Sequence, residues 1–267
     1  MTQNYALGIQ YVGTRYAGWQ RQSHADSVQG RLEAALTQIA DHPVETICAG
    51  RTDAGVHALG QVVHFQTSVQ RPDKAWVHGV NAALPHDVRV NWVHAVPTEF
   101  SARFSAESRR YQYLLYRGAV ASPFLQGAVT HYPYPLDPVA IQAAAQHLLG
   151  EQDFSALRSA HCQSHTAMRE VHFANVFTRA DFLILDICAN AFLHHMVRNI
   201  MGTLLWVGQQ KCTVADFQQI LQSKDRRLAG PTAPPDGLYL VAVQYPVAYD
   251  LPQFSASGIE ALFYELD

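Results

Sequence analysis

Hydrophobic and polar positions along this chain repeat with two periods, and they do so in the same order twice. Residues 5–11, Tyr-Ala-Leu-Gly-Ile-Gln-Tyr, alternate with period two and predict a strand. A loop holding Gly13, Gly18 and Trp19 follows. Ser27 then stands as an N-cap ahead of Val28, Leu32, Ala35, Leu36 and Ile39, whose spacing predicts an amphipathic helix. Residues 44–48 and 61–65 are rich in β-formers and read as two further strands. Pro72 opens a second helix with Trp76, Val77, Val80, Ala83 and Leu84 on one face, and residues 88–93 close the half as a strand. The second half repeats this order. Residues 110–116 predict a strand, and Asp137 with Pro138 predicts the cap and first turn of a helix carrying Ile141, Ala144, Ala145, Leu148 and Leu149. Residues 171–178 and 182–188 predict a hairpin that turns at 179–181. Residues 192–207 predict a long helix, Thr213 with Asp216 a capping box heading a shorter one, and residues 238–245 a final strand.

Two β-α-β-β-α-β units in tandem imply an α+β fold of two ferredoxin-like (RRM-like) halves with a cleft between them. The expected organisation is an N-terminal half over residues 1–104, a C-terminal half over 105–245 and a tail over 246–267. Only the element order repeats; the two halves share no visible sequence.

Between the strands at 44–48 and 61–65 runs Gly50-Arg51-Thr52-Asp53-Ala54-Gly55-Val56-His57-Ala58. Glycines on both sides of Arg-Thr-Asp permit tight or left-handed turns, so the connection is shaped to present a side chain, and its one carboxylate is Asp53. By itself an Asp in such a loop can simply hydrogen-bond its own turn.

The nine-residue string resembles the signature of the tRNA pseudouridine synthase A family. The likeness continues, in the family's order, through Tyr16-Ala17-Gly18-Trp19-Gln20-Arg21-Gln22, Gly60-Gln61-Val62-Val63-His64-Phe65, Phe100-Ser101-Ala102-Arg103-Phe104-Ser105-Ala106 and Arg109-Arg110-Tyr111-Gln112-Tyr113. Asn190-Ala191-Phe192-Leu193-His194-His195-Met196-Val197-Arg198-Asn199 and Gly237-Leu238-Tyr239-Leu240 complete it. The resemblance implies the pseudouridine synthase fold and an isomerase that converts uridine to pseudouridine in the tRNA anticodon stem-loop, at positions 38–40. It also implies a homodimer that takes tRNA as partner; the isomerisation itself needs no cofactor or metal, and the scattered cysteines suit a cytoplasmic protein.

The resemblance assigns the nucleophile to Asp53, and the chemistry suits it: breaking a glycosidic bond and rejoining the base through carbon needs a group that attacks and later leaves, as a carboxylate can. Arg198 matches an arginine that pairs with the nucleophile in related enzymes. Read as part of a helix over 192–207, it shares a face with His194 and His195. Tyr111 matches the family's substrate-contacting tyrosine, and an aromatic ring is suited to stack on an extruded base. Of Tyr111, Tyr113 and Tyr116, at least one belongs to the core, with Tyr113 the candidate. Arg51 either fills the space left by a flipped base, contacts phosphate or braces its own turn.

A chain of 267 residues, 48% of them hydrophobic, has enough apolar material for one large core or two modest ones. No run approaches the length of a membrane-spanning helix, and residues 1–4 lead directly into a strand, so neither membrane insertion nor a signal peptide is expected. Cys48, Cys162, Cys188 and Cys212 are far apart and read as reduced thiols. The formal charge of −3 is unlike the basic balance common in nucleic-acid binders. Residues 246–267, however, hold Asp250, Glu260, Glu265 and Asp267 with no Lys or Arg, so the body is close to neutral and local arginines decide. Arg15, Arg21, Arg103, Arg109, Arg110, Arg158 and Arg169 are the candidates for phosphate contacts. His165 stands where the resemblance expects a basic residue. His161-Cys162-Gln163-Ser164-His165 has no partner set of ligands elsewhere and is not read as a metal site. A rival of another class, a non-catalytic RNA-binding protein or tRNA-folding chaperone of two RRM-like modules, leaves the acidic loop unexplained.

Overall fold

The computed structural model describes residues 2–252; residues 253–267, most of the expected tail, lie outside the described residues. Those described form two compact units, one of residues 2–107 together with 239–252, the other of residues 108–238. Among them no helix is long and apolar enough to cross a membrane.

The first unit is built on β1 (Gln3–Tyr11), β2 (Ile47–Cys48), β3 (His57–Thr67), β4 (Val88–Val96) and β10 (Leu238–Gln244). Their order is β4-β1-β3-β10, with β2 on β3. All pairings are antiparallel except β3 with β10, which run parallel with Tyr239 opposite His57. The final strand, read from the element order as closing the second half, therefore belongs to the first unit. Helix α1 (Val28–Ala40) begins where the pattern places it: the Ser27 hydroxyl accepts from Gly30 N at 3.2 Å. The second helix is shorter than its pattern. A π-helical turn, Ala75–Gly79, leads into α2 (Val80–Ala83), so Trp76, Val80 and Leu84 face inward while Ala83 is exposed.

Trp76 packs on Phe65 and Tyr5, with ring centroids 5.2 and 5.7 Å apart, and joins α2 to the sheet. Each such aromatic pair adds about 1 kcal/mol beyond its buried area. The other face of this sheet is buried as well. Ala6 and Val62 lie there against Phe100, Ala102 and Tyr245, with Trp92 and Tyr249 at the margin. The alternation of β1 thus separates two cores, and the small residues Ala6 and Gly8 mark the tighter one. A Cβ on Gly8 would stand 2.1 Å from the Trp92 ring.

The second unit has β5 (Ser108–Tyr116), β6 (Thr130–His131), β7 (Gly150–Asp153), β8 (Met168–Arg179) and β9 (Phe182–Ala189), in the order β5-β9-β8-β7 with β6 on β5. Two of these, β6 and β7, have no signature in the sequence; one is two residues long and the other is polar. The β8–β9 hairpin turns at Ala180, whose φ is +50°. Helix α3 (Pro138–Ala145) is capped as expected by Asp137, which accepts from Val139 N and Ala140 N. Leu149, expected on its inner face, is exposed because the helix ends in a 3₁₀ turn before it. Helix α4 (Met196–Gly208) is buried almost all round, and α5 (Val214–Ser223) opens with the Thr213–Asp216 capping box.

The start of α4 corrects the expected helix over 192–207. His195 has φ +62° and forms the N-cap, so His194 and His195 precede the helix and do not share a helical face with Arg198. The apolar spacing of Phe192, Leu193 and Met196 imitates a helical turn, but a left-handed residue cannot continue one.

Candidate active site

Asp53 lies in the connection between β2 and β3, half-buried, with its backbone held from every side. Its carbonyl accepts from Val56 N at 3.1 Å, and Gly55 has φ +80°, which closes a turn that needs glycine at its third position. A second segment clamps the loop from outside: Trp19 N donates to Thr52 O at 3.0 Å, and Gly55 N donates to Tyr16 O at 3.3 Å. The clamp works because Gly18 lies flat on the loop at φ +100°; a Cβ there would sit 2.8 Å from Thr52 O. Tyr16 is fixed in turn by donating to Asp87 at 2.6 Å, and burial together with that carboxylate pushes the phenol pKa upward.

Polar side chains support the loop from beneath. The hydroxyls of Thr52 and Tyr11 are 2.7 Å apart in the interior. Gln61, fully buried, donates to Gly50 O at 2.7 Å and accepts from Gly50 N at 3.4 Å. His57 accepts from Gly13 N through Nδ1 at 3.1 Å and stacks on Tyr239 with ring centroids 4.6 Å apart. None of these partners is apparent from the loop's own sequence. The available signal is polar residues at strand positions where apolar ones are the rule, His57 and Gln61 above all.

In the second unit Tyr111 lies on β5, nearly buried, with Phe192 edge-on to its ring at 5.0 Å. Tyr113, on the same face of the strand, is the core residue of the pair. Its hydroxyl donates to Pro234 O and lies 2.7 Å from Thr130 Oγ1, and burial pushes its pKa upward. Arg198 is half-buried in the first turn of α4 and exchanges two bonds with one residue: its Nε donates to Ala233 O at 2.8 Å and its carbonyl accepts from Ala233 N at 3.1 Å. Below it Asn199 donates to Leu157 O and accepts from Arg226 and Thr232, which ties the turn at Ser155–Leu157 to the loop after α5. Among the sequence candidates, then, Asp53 belongs to the first unit and Tyr111 and Arg198 to the second.

The arginine candidates divide by partner. Arg51, Arg15 and Arg103 are exposed, Arg15 with a 3.4 Å surface pair to Asp87 that is worth little in water. Arg21 instead donates at 2.7 Å to Glu33, a buried carboxylate that also accepts from Gln29 and Thr46. Arg109 donates to Asn190 O at 2.8 Å, and Arg110 forks onto the carboxylate of Asp186 across β5 and β9. Arg158 donates to the carbonyls of Cys162 and Ser164, and Arg169 to Ser164 Oγ, so both brace the loop that carries the exposed His165.

A family model described as tRNA pseudouridine synthase matches residues 8–105 and 144–246. A protein of Pasteurella multocida (strain Pm70) named tRNA pseudouridine synthase A is 54% identical over 260 residues, covering 97% of each chain. One of the same name from Escherichia coli O1:K1 / APEC is 53% identical over 248 residues, covering 93% of this chain and 92% of that one. Among solved structures, the archaeal box H/ACA sRNP Nop10–Cbf5 complex overlays at 11% identity with a TM-score of 0.36, over 84% of this chain and 60% of that one.

Proposed function

The chain belongs to the tRNA pseudouridine synthase family, and from that membership we propose that it isomerises uridines of the tRNA anticodon stem-loop, at positions 38–40, with Asp53 as nucleophile. The reaction breaks the bond from ribose C1′ to uracil N1 and forms one from C1′ to C5. The C5 proton leaves and N1 gains one, so composition is unchanged and no redox partner enters. The observation that supports Asp53 is the loop itself: Tyr16, Trp19 and Gln61 brace its backbone and Tyr11 its Thr52 hydroxyl, which fixes the half-buried carboxylate in place. A group so placed is pre-organised for attack. Release of tritium from a stem-loop RNA labelled at uridine C5 is the expected result with purified protein. An unlabelled supernatant over a folded, RNA-bound enzyme would remove the reading.

Tyr111 and Arg198 complete the assignment. Tyr111→Phe keeps the ring and its contact with Phe192, so RNA affinity is expected to hold while turnover falls about a hundredfold, the range of a lost proton-transfer partner. Arg198→Ala removes a guanidinium already aimed by Ala233 and is expected to lower turnover similarly without unfolding α4. Wild-type rates in both variants would place the chemistry on other side chains. We assign phosphate contacts to the exposed Arg51, Arg15 and Arg103. Arg21 in the first unit and Arg109 and Arg110 in the second are assigned supporting roles, each through the group it already binds.

The working unit we assign is a homodimer in the cytoplasm. A nearly neutral body offers one subunit little positive surface for a tRNA, and two-fold pairing is the commonest way to enlarge it. Light scattering at micromolar concentration is expected to give twice the 29.7 kDa chain mass. A monomer that modifies tRNA at the undiminished rate would exclude the dimer as the working unit.

A further inference from the structure

Residues 100–106 form a tight turn that leaves one large apolar side chain in water. Phe104 is 81% exposed, although the residues around it are firmly anchored. Phe100 and Ala102 are buried in the second core of the first unit beside Ala49, the residue that leads into the Asp53 loop. His64 accepts from Ala102 N through Nδ1 at 3.0 Å, and Tyr245 donates to Ala102 O at 2.6 Å. Ser105 N donates to Ser101 O at 2.9 Å and closes the turn. The exposed ring carries the Arg103 guanidinium over one face, 5.2 Å from its centroid. A flexible surface phenylalanine would need no explanation, but one held out by four anchored neighbours, with a cation on one face, is built to meet a flat partner.

We propose that Arg103 and Phe104 form an RNA contact on the first unit, in which Phe104 stacks on an unpaired base and Arg103 reaches the adjoining phosphate. Aromatic rings take any base because every base has a π-face, and an arginine alongside supplies both charge and a second stacking plane. The position fits the Asp53 loop: Arg51 and Arg103 both act electrostatically on the buried thiol of Cys48, which burial pushes up to about 12 against their opposing influence. Both guanidinium groups thus lie within electrostatic reach of Cys48, at the end of β2 that leads into the Asp53 loop. Protonation of His64 at Nδ1 would break its bond to Ala102 N, so the turn depends on the neutral ring, the form that burial favours.

The inference rests on the tRNA reading and is tested beside it. Stem-loop RNAs carrying 2-aminopurine at each unpaired loop position in turn are titrated with protein. At one position the wild-type protein is expected to quench the fluorescence by stacking. Phe104→Ala is expected to remove that quench and weaken binding about tenfold, and Phe104→Trp to restore both. Arg103→Ala should weaken binding and flatten its salt dependence. Phe104 fills no core, so its alanine variant keeps the wild-type melting temperature. Quench and affinity unchanged in Phe104→Ala overturn the proposal. Loss of binding together with a halved mass in light scattering overturns it too, by assigning the ring to a contact between copies. Tritium release measured on the same samples separates the two readings. A Phe104-dependent quench without release leaves the RNA contact and removes the isomerase; release with no effect of Phe104→Ala removes the contact alone.

Discussion

Asp53→Asn protein is expected to fold, to bind the anticodon stem-loop with wild-type affinity and to release no tritium. Asparagine has the size of aspartate and can still accept a hydrogen bond, but a neutral amide does not attack as a carboxylate does. Loss of a nucleophile typically costs about a thousandfold or more in turnover. The loop is braced by bonds that the substitution does not alter. Trp19 N holds Thr52 O, Gly55 N holds Tyr16 O, and Gln61 holds Gly50 from both sides. The substitution therefore leaves the scaffold standing while it removes the charge. A folded variant that retains more than about one part in a hundred of the wild-type rate would exclude Asp53 as the covalent nucleophile.

Gly18→Ala is expected to have the next largest effect, and from outside the reacting groups. Gly18 has φ +100°, and its added Cβ would meet Thr52 O at 2.8 Å, Asp53 C at 3.1 Å and Ala54 N at 3.2 Å. All three are backbone atoms of the catalytic loop, so no side chain can swing aside. The loop itself must shift, and a displacement near 1 Å can cost about a hundredfold in rate. The loss should fall on kcat with little change in RNA affinity. Gly150→Ala is the matched control: its φ is +81°, but nothing lies within 4 Å of the new Cβ. It should carry a similar backbone strain of about 1–2 kcal/mol and keep its turnover. Equal rates for the two variants would mean that the clamp does not set the position of Asp53.

Much of this site can be read along the chain, and the part that can is local. The caps at Ser27, Asp137 and Thr213 form where the pattern puts them, because each side chain bonds a backbone N–H within three residues. The Asp53 loop is visible for the same reason: Gly55 is needed at φ +80° in a four-residue turn that closes on Asp53. The start of α4 is not visible, since the apolar spacing continues through His195 while its backbone does not. Nor do the arginines announce their partners. Arg21 and Arg110 look like Arg51 in the sequence, yet they neutralise Glu33 and Asp186, each buried among groups contributed by other segments.

By itself the sequence determined most of the strands and helices, the acidic loop between glycines and, through collinear motifs, the family. The tertiary structure decided which strand pairs with which and what holds the loop still. Residues 238–245 declare themselves a strand by composition, but only the edge of β3 at His57 and Ala58 selects them for the first unit. Likewise Gly18 and Gln61 are ordinary loop and strand residues until chain folding lays one against Thr52 and the other against Gly50. A turn or a cap is settled by bonds among neighbours, whereas a clamp depends on surfaces that meet only when distant segments bury each other. Asp53 is visible as a carboxylate in a glycine loop, and its fixed position comes from residues at 11, 16–19 and 61 that the loop cannot specify.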